Sequence, residues 1–180
     1  MSGHNKFSQI KHQKASEDAR RSKLFSILGK MISVQARLAN GDVNNPALRV
    51  AIEKARKQNM PKETIERALS RGTGKDSALE EVIYEAFGPG GVAIIITGIT
   101  DSNNRTSNEI KNILSEHGGS LGGPGATMWA FSTTRNESGE ITYSPITTIS
   151  ISEEDKNKLA SLIETLEDHE DIKQVSINAI

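Results

Sequence analysis

Residues 82–99 read VIYEAFGPGGVAIIITGI. Two runs rich in β-branched and aromatic residues flank Gly88-Pro89-Gly90-Gly91. That pattern predicts a strand over 82–87, a tight turn, and a buried strand over 92–99. The run Val92-Ala93-Ile94-Ile95-Ile96 is the longest unbroken apolar stretch in the chain and is far too short to span a bilayer.

Downstream of this hairpin, Asn103 or Asn104 is placed to cap a helix whose seam is Ile110, Ile113 and Leu114, and Gly118-Gly119 ends it. Ala126 to Ser132 reads as a strand, and residues 141–151 contain another, with Pro145 marking an edge or a strand start. Ser152 caps a last helix with Glu153, Glu154 and Asp155 in its first turn, where acids suit the dipole. Leu159, Leu162, Ile163 and Leu166 form its stripe, and Ile172 to Ile177 is the closing strand. The order after Gly91 is β-α-β twice. This predicts an α+β unit of ferredoxin-like, split β-α-β type, to which the strand 82–87 is an addition at the N-terminal side.

Upstream the chain reads as helical. From about Lys14 to Ala39, the residues Phe25, Leu28, Ile32, Ala36 and Ala39 lie within about 80° of one another on a helical wheel. Arg20, Lys23, Lys30 and Arg37 fall on roughly the opposite face. Asn40-Gly41-Asp42 ends this helix, with Gly41 suited to the left-handed closing position. Asn45-Pro46 opens a second helix with Leu48, Ile52 and Ala55 in its seam, while Lys54, Arg56 and Lys57 lie largely off it. A third, begun by Pro61, carries Ile65, Ala68 and Leu69 and is stopped by Gly72-Thr73-Gly74. The predicted organisation is therefore a three-helix domain over 1–75 and an α+β domain over 76–180, joined by a linker around Gly72 to Ala78.

Charge follows the same division. The formal net charge of the whole is -1, yet residues 1–75 hold 16 Lys and Arg against 6 Asp and Glu, and residues 76–180 hold 6 against 17. A segregation of +10 from -11 points to an anionic partner for the first half. The plain alternative is that the halves neutralise each other within the fold. The chain opens MSGHNKFSQIKHQK, without an acid. Lys6, Lys11 and Lys14, then Arg20, Arg21, Lys23, Lys30 and Arg37, supply phosphate contacts on one helix and its extension. His12 adds a donor, and Phe7 among lysines suits stacking on a base or anchoring onto the bundle.

Other chemistry has little footing. With no cysteine there is no disulfide, zinc–thiolate site or cysteine nucleophile, which fits a reducing compartment. His4, His12, His117 and His169 lack helical metal spacing, so neither a metal nor a cofactor is expected. Gly72-Thr73-Gly74-Lys75 fails as a phosphate loop, because Asp76 stands where Ser or Thr is needed. Glu80, Glu81, Glu85 and Asp101 are the remaining candidate catalytic acids, and no serine–histidine or metal partner accompanies them. The expected class is a non-enzyme. No apolar segment follows the first lysines, so no secretory signal is expected, and Glu17 and Asp18 weaken a transit-peptide reading.

Several blocks resemble the YebC/PmpR family. They are Gly3-His4-Asn5-Lys6-Phe7 through Lys14, Asn59-Met60-Pro61-Lys62 through Arg71-Gly72-Thr73-Gly74, Tyr84 through Ala93, Asp101 through Thr106, and Gly118 through Phe131. The resemblance runs in order along nearly the whole chain. It implies a three-helix N-terminal domain followed by an α+β remainder. Members are described as cytoplasmic, DNA-binding transcriptional regulators. The family also includes a mitochondrial translational activator, and bacterial members have been linked to ribosomes stalled on proline-rich nascent chains. Two departures stand out. Phe7 occupies a position where the family usually has Trp. The third domain that the family inserts after the strand near Phe131 is missing, and only about 133–145 fills its place.

The expectation is a cytoplasmic YebC-like regulator that binds DNA through its basic domain. The alternative is a ribosome-associated translation factor whose same surface contacts ribosomal RNA. The acidic domain is expected to bind protein, either another copy of itself or a ribosomal protein, and no membrane.

Overall fold

A computed structural model describes residues 3–74, 78–136 and 140–180, with side chains from residue 17 onward. The expected linker centre at 75–77 and the tip of the short connection at 137–139 lie outside the described residues.

The first helix, α1, runs over Gly3–Leu38, eleven residues earlier than the apolar seam alone predicts. The basic opening is thus backbone-continuous with the helix rather than a separate arm. Gly41, at φ 79°, closes it as expected, its amide donating to the Ala36 carbonyl at 2.8 Å. Helix α2 (Pro46–Lys57) begins at Asn45, whose side chain accepts from the amides of Ala47 and Leu48. Helix α3 spans Lys62–Thr73.

Leu28, Ile32 and Ala36 of α1 meet Leu48, Ala51, Ile52 and Ala55 of α2 and Ile65 and Ala68 of α3. Small residues let the helices approach closely. A Cβ on Gly72 would lie 2.3 Å from the Ser33 carbonyl oxygen, so Gly72 is a contact point inside α3 rather than its stop. The buried Ser33 hydroxyl donates to the Ala68 carbonyl at 2.8 Å across the same contact.

The hairpin forms as predicted. Strands β1 (Glu80–Phe87) and β2 (Ala93–Thr100) pair antiparallel, with Tyr84 opposite Ile96 and Ala86 opposite Ile94. Helix α4 covers Asn103–Glu116, preceded by Ser102 at the N-cap position, so neither asparagine is the cap. The Asn103 side chain instead accepts from the Tyr84 hydroxyl at 2.8 Å. A two-residue strand β3 (Ser120–Leu121) follows, and later come helix α5 (Glu153–Asp168) and strand β6 (Ile172–Ile177). Ser152 caps α5, its hydroxyl accepting from the Asp155 amide.

The class is α+β, with a helical N-terminal region. The strand arrangement refines the expectation. The main sheet has the order β3-β1-β2-β6, all neighbours antiparallel. Read from β6, that is the order of the split β-α-β pattern, with the hairpin strand β1 standing where its third strand would be. The strand 82–87 is therefore central, not an addition. The segment expected as a strand over 126–132 holds a 3₁₀ turn at Met128–Ala130 and then β4 (Phe131–Arg135). It pairs only with β5 (Ile141–Pro145), as a separate two-stranded ribbon.

Helices α4 and α5 cover one sheet face, where Ile110, Leu114, Leu159, Leu162 and Leu166 pack on Tyr84, Ala86, Ile94 and Ile96. Each fully buried Leu or Ile contributes about 2 kcal/mol there. The opposite face is shared. Ala93 and Ile95 lie under Phe131 and Tyr143 of the ribbon, while Ile99 meets Val34 of α1 and Leu79.

Candidate nucleic-acid interface

The predicted cationic stripe of α1 does not stay on one free surface. Arg20 and Arg21 are exposed, and the Arg21 guanidinium stands 5.3 Å from the Phe25 ring centroid. Lys23 is half-buried near Asp168 and Glu167 at the end of α5. Burial pushes the Lys23 ammonium pKa down, against the pull of those two acids. Lys30 is further in: its Nζ donates to Asp171 Oδ1 and, at 3.0 Å, to the Glu170 carbonyl. Arg37 is half-buried near the end of the helix. Lys6, Phe7, Lys11, His12 and Lys14 belong to α1 by backbone, and their side chains lie outside the described residues.

Lys30 is thus a correction to the expected stripe: it is a strut to the α+β half and not a surface cation. The signal for this was present in the chain. Ile27, Met31 and Val34 fall on the same side of the helical wheel as the cations, and Ile27 and Val34 are buried. A helix with apolar residues on both faces is covered on both faces.

Asp171 is the centre of that contact. It is 1% exposed and accepts from Lys30, from Arg105 Nη2 at 2.7 Å and from the Thr106 hydroxyl at 2.7 Å. Burial alone would raise its pKa. The hydrogen bonds from Lys30, then Thr106 and Arg105, outweigh burial and hold it at about 2. The backbone is drawn in as well: the Ile99 amide donates to the Asp171 carbonyl at 2.8 Å, and a Cβ on Gly98 would lie 2.4 Å from that oxygen. Gly98 is therefore required for β2 to receive the 171 turn.

A second bridge joins the halves. Glu140, beside the ribbon, accepts from Lys54 of α2 at 3.0 Å and Lys173 of β6 at 2.7 Å. Burial would raise its pKa too, and the two lysines bring it down to about 2. In these places the halves do neutralise each other, as the plain reading of the charge split allowed.

Cations remain on the outside of the helical half. Arg20, Arg49, Arg56, Lys57 and Arg71 are exposed and make no ion pair among the described residues. Arg49, Arg56, Lys57 and Arg71 were missed as candidates, although Arg56 and Lys57 lie off the apolar seam.

Two of the candidate catalytic acids, Glu85 and Asp101, have structural work. The Glu85 carboxylate accepts from the amides of Gly125, Thr127 and Met128 at 2.6 to 2.8 Å, so it ties down the 125–128 loop. Burial raises its pKa and the three amides bring it below the ordinary value. Asp101 pairs with Arg105 at 3.2 Å. Oxygen and nitrogen atoms of Glu109, His169 and Asp171 come within 4.8 Å of one another. Their lone pairs are engaged, however. His169 Nε2 faces Glu109 at 2.9 Å, Nδ1 accepts from the Asp171 amide at 3.2 Å, and Asp171 holds its three donors. That set is a hydrogen-bonded network. No helix among the described residues is long and apolar enough to cross a membrane.

Comparison with known proteins agrees with this architecture. The family model for the TACO1/YebC protein N-terminal domain matches residues 5–75. The model for the TACO1/YebC second and third domain matches in two pieces, 79–136 and 132–179, which meet in β4. That junction falls where the sequence places the missing insertion. Proteins named "probable transcriptional regulatory protein" from Fervidobacterium nodosum and Dictyoglomus turgidum are 52% and 53% identical over 134 residues. Those alignments cover 73% of this chain but 53% and 54% of the relatives, so the chain spans about half the length of the curated relatives it matches. The crystal structure of a conserved hypothetical protein from Aquifex aeolicus superposes with a TM-score of 0.82 at 32% identity, over 91% of each chain. A fold shared at this level, with both family models matched along the chain, means that this protein belongs to the TACO1/YebC family.

Proposed function

We propose that this protein is a YebC-type regulator that binds DNA through the outward face of its three-helix half. The observation that carries the reading is the division of its cations. Lys30 and Lys54 end on acids of the α+β half, whereas Arg20, Arg49, Arg56, Lys57 and Arg71 are exposed without an ion pair among the described residues. Unpaired cations on one half of a protein of net charge -1 are what phosphate binding requires. The names of the relatives, "probable transcriptional regulatory protein", support the regulatory part.

A second reading has the same surface meeting ribosomal RNA. It is favoured by the spread of the cations over three helices, which suits backbone phosphates of a folded RNA better than one helix reading a major groove. Fluorescence anisotropy with a labelled DNA duplex and a labelled ribosomal RNA hairpin, at one physiological salt concentration, separates the two. Charge reversal at Arg20 and Arg21 is expected to weaken binding at least tenfold and to flatten its salt dependence. Unchanged affinity for both probes would overturn the proposal. Preference for the hairpin over any duplex would replace the DNA reading by the RNA one.

A further inference from the structure

Between α2 and α3 lies an open groove of about 380 Å³. Helix α2 presents Arg49, Ile52, Glu53 and Arg56 to it, and α3 presents Lys62, Ile65, Glu66 and Leu69, with Glu66 held by Lys62 at 3.6 Å. In α2 the spacing is i, i+3, i+4, i+7, one continuous helical face. Arg49 and Arg56 are two turns apart, about 10.5 Å of axis, with Glu53 between them. None of these three α2 charges has an ion pair among the described residues. The floor is apolar: Ile52 is 9% and Ile65 is 4% exposed.

We infer that this groove takes one unstacked guanine of a single-stranded nucleic acid, with Arg49 and Arg56 on the flanking phosphates and Glu53 on the base edge. The inference rests on the nucleic-acid reading above and gives that surface a base preference. A free carboxylate on a strongly cationic domain opposes phosphate binding, so its place between two arginines calls for a donor-rich partner. The Watson–Crick edge of guanine offers two adjacent N–H donors that match a carboxylate. Uracil turns two carbonyl oxygens to either side of its single N–H and is repelled. The apolar floor takes the base plane, and the volume is within the range of small-ligand sites. An acidic amphipathic peptide would also complement the arginines, but its carboxylates would meet Glu53.

The test uses the full chain and labelled single-stranded oligonucleotides of about twelve residues, all uridine or with one central guanosine. The guanosine probe is expected to bind about tenfold tighter. In E53Q that preference should vanish, while affinity for the all-uridine probe stays the same or rises. In the double variant Arg49→Gln, Arg56→Gln both probes should weaken. Far-ultraviolet circular dichroism checks that the variants keep their helices. Equal binding of the two probes by the unmodified protein overturns the groove proposal, as does a preference that survives in E53Q. An acidic amphipathic peptide that binds the unmodified protein but not the arginine variant, while both bind the oligonucleotides equally, also overturns it. If oligonucleotides bind, and only Arg20 and Arg21 matter, the groove proposal fails and the nucleic-acid reading stands. If no nucleic acid binds at all, both fail.

Discussion

On the side of the helical half that meets the sheet, Lys30 and Lys54 end on Asp171 and Glu140. Away from that contact, Arg49 and Arg56 of α2 and Arg20, ten residues before Lys30 in α1, end in solvent. The two sets belong to the same helices and carry the same sign of charge. Their difference lies in what surrounds the stems. Met31, Val34, Leu79 and Ile99 form an apolar contact between the halves; the Lys30–Asp171 pair is largely withdrawn from water, at 14% and 2% exposure, whereas Lys54 keeps 41%. The outer arginines are exposed, so pairing there would contribute little to folding, and they stay available for a ligand. Net charge of a half therefore overstates its binding surface. The cations must first be divided into those that hold the fold and those that do not.

The largest test of this division is Asp171→Ala. It leaves Lys30, Arg105 and Thr106 without their acceptor in a buried site, and should cost about 3 kcal/mol in urea unfolding. A loss below about 1 kcal/mol would place the contact among ordinary surface pairs. Acid should act in the same place. Asp171 and Glu140 are both held at about 2, below the ordinary range near 4. Their contribution is complete above about pH 4 and is lost as pH falls through the folded value near 2. Stability measured from pH 7 downward should therefore hold until roughly pH 4 and then decline, and Asp171→Asn should remove much of that decline.

Glu140→Gln is a smaller break. It weakens the bridge from α2 to β6, where the Lys54 side chain is 41% exposed, and should cost about 1 kcal/mol. Smallest is the outer face: Arg20→Gln with Arg21→Gln should change stability by no more than about 0.5 kcal/mol, the Arg21 contact with Phe25 included. A larger loss would mean that the outer arginines also hold the fold.

Much of the secondary structure was legible. Gly41, Asn45 and Ser152 mark helix ends through conformations and caps that depend on local sequence alone. The turn after Phe87 is legible for the same reason. The position of β1 inside the sheet was not, because alternation says that a strand has a buried face and not which neighbours it pairs with. The ribbon β4–β5 was hidden likewise: Phe131 and Tyr143 bury against Ala93 and Ile95 on the second sheet face, a contact between segments far apart in the chain. The candidate site was legible as a charge, and one of its residues, Lys30, belongs to the inner contact instead. Ile27 and Val34, among the cations of α1, were the residues that could have shown which side faces inward.

The central claim is that the outer cations meet nucleic-acid phosphate and the inner ones do not. It is tested most directly by the slope of log affinity against log salt for one DNA duplex, measured for the unmodified protein, for Arg20→Gln with Arg21→Gln, and for Lys54→Gln. The account predicts a slope about 2 units shallower for the outer pair and an unchanged slope for Lys54→Gln. A shallower slope for Lys54→Gln, with the outer pair unchanged, would contradict it.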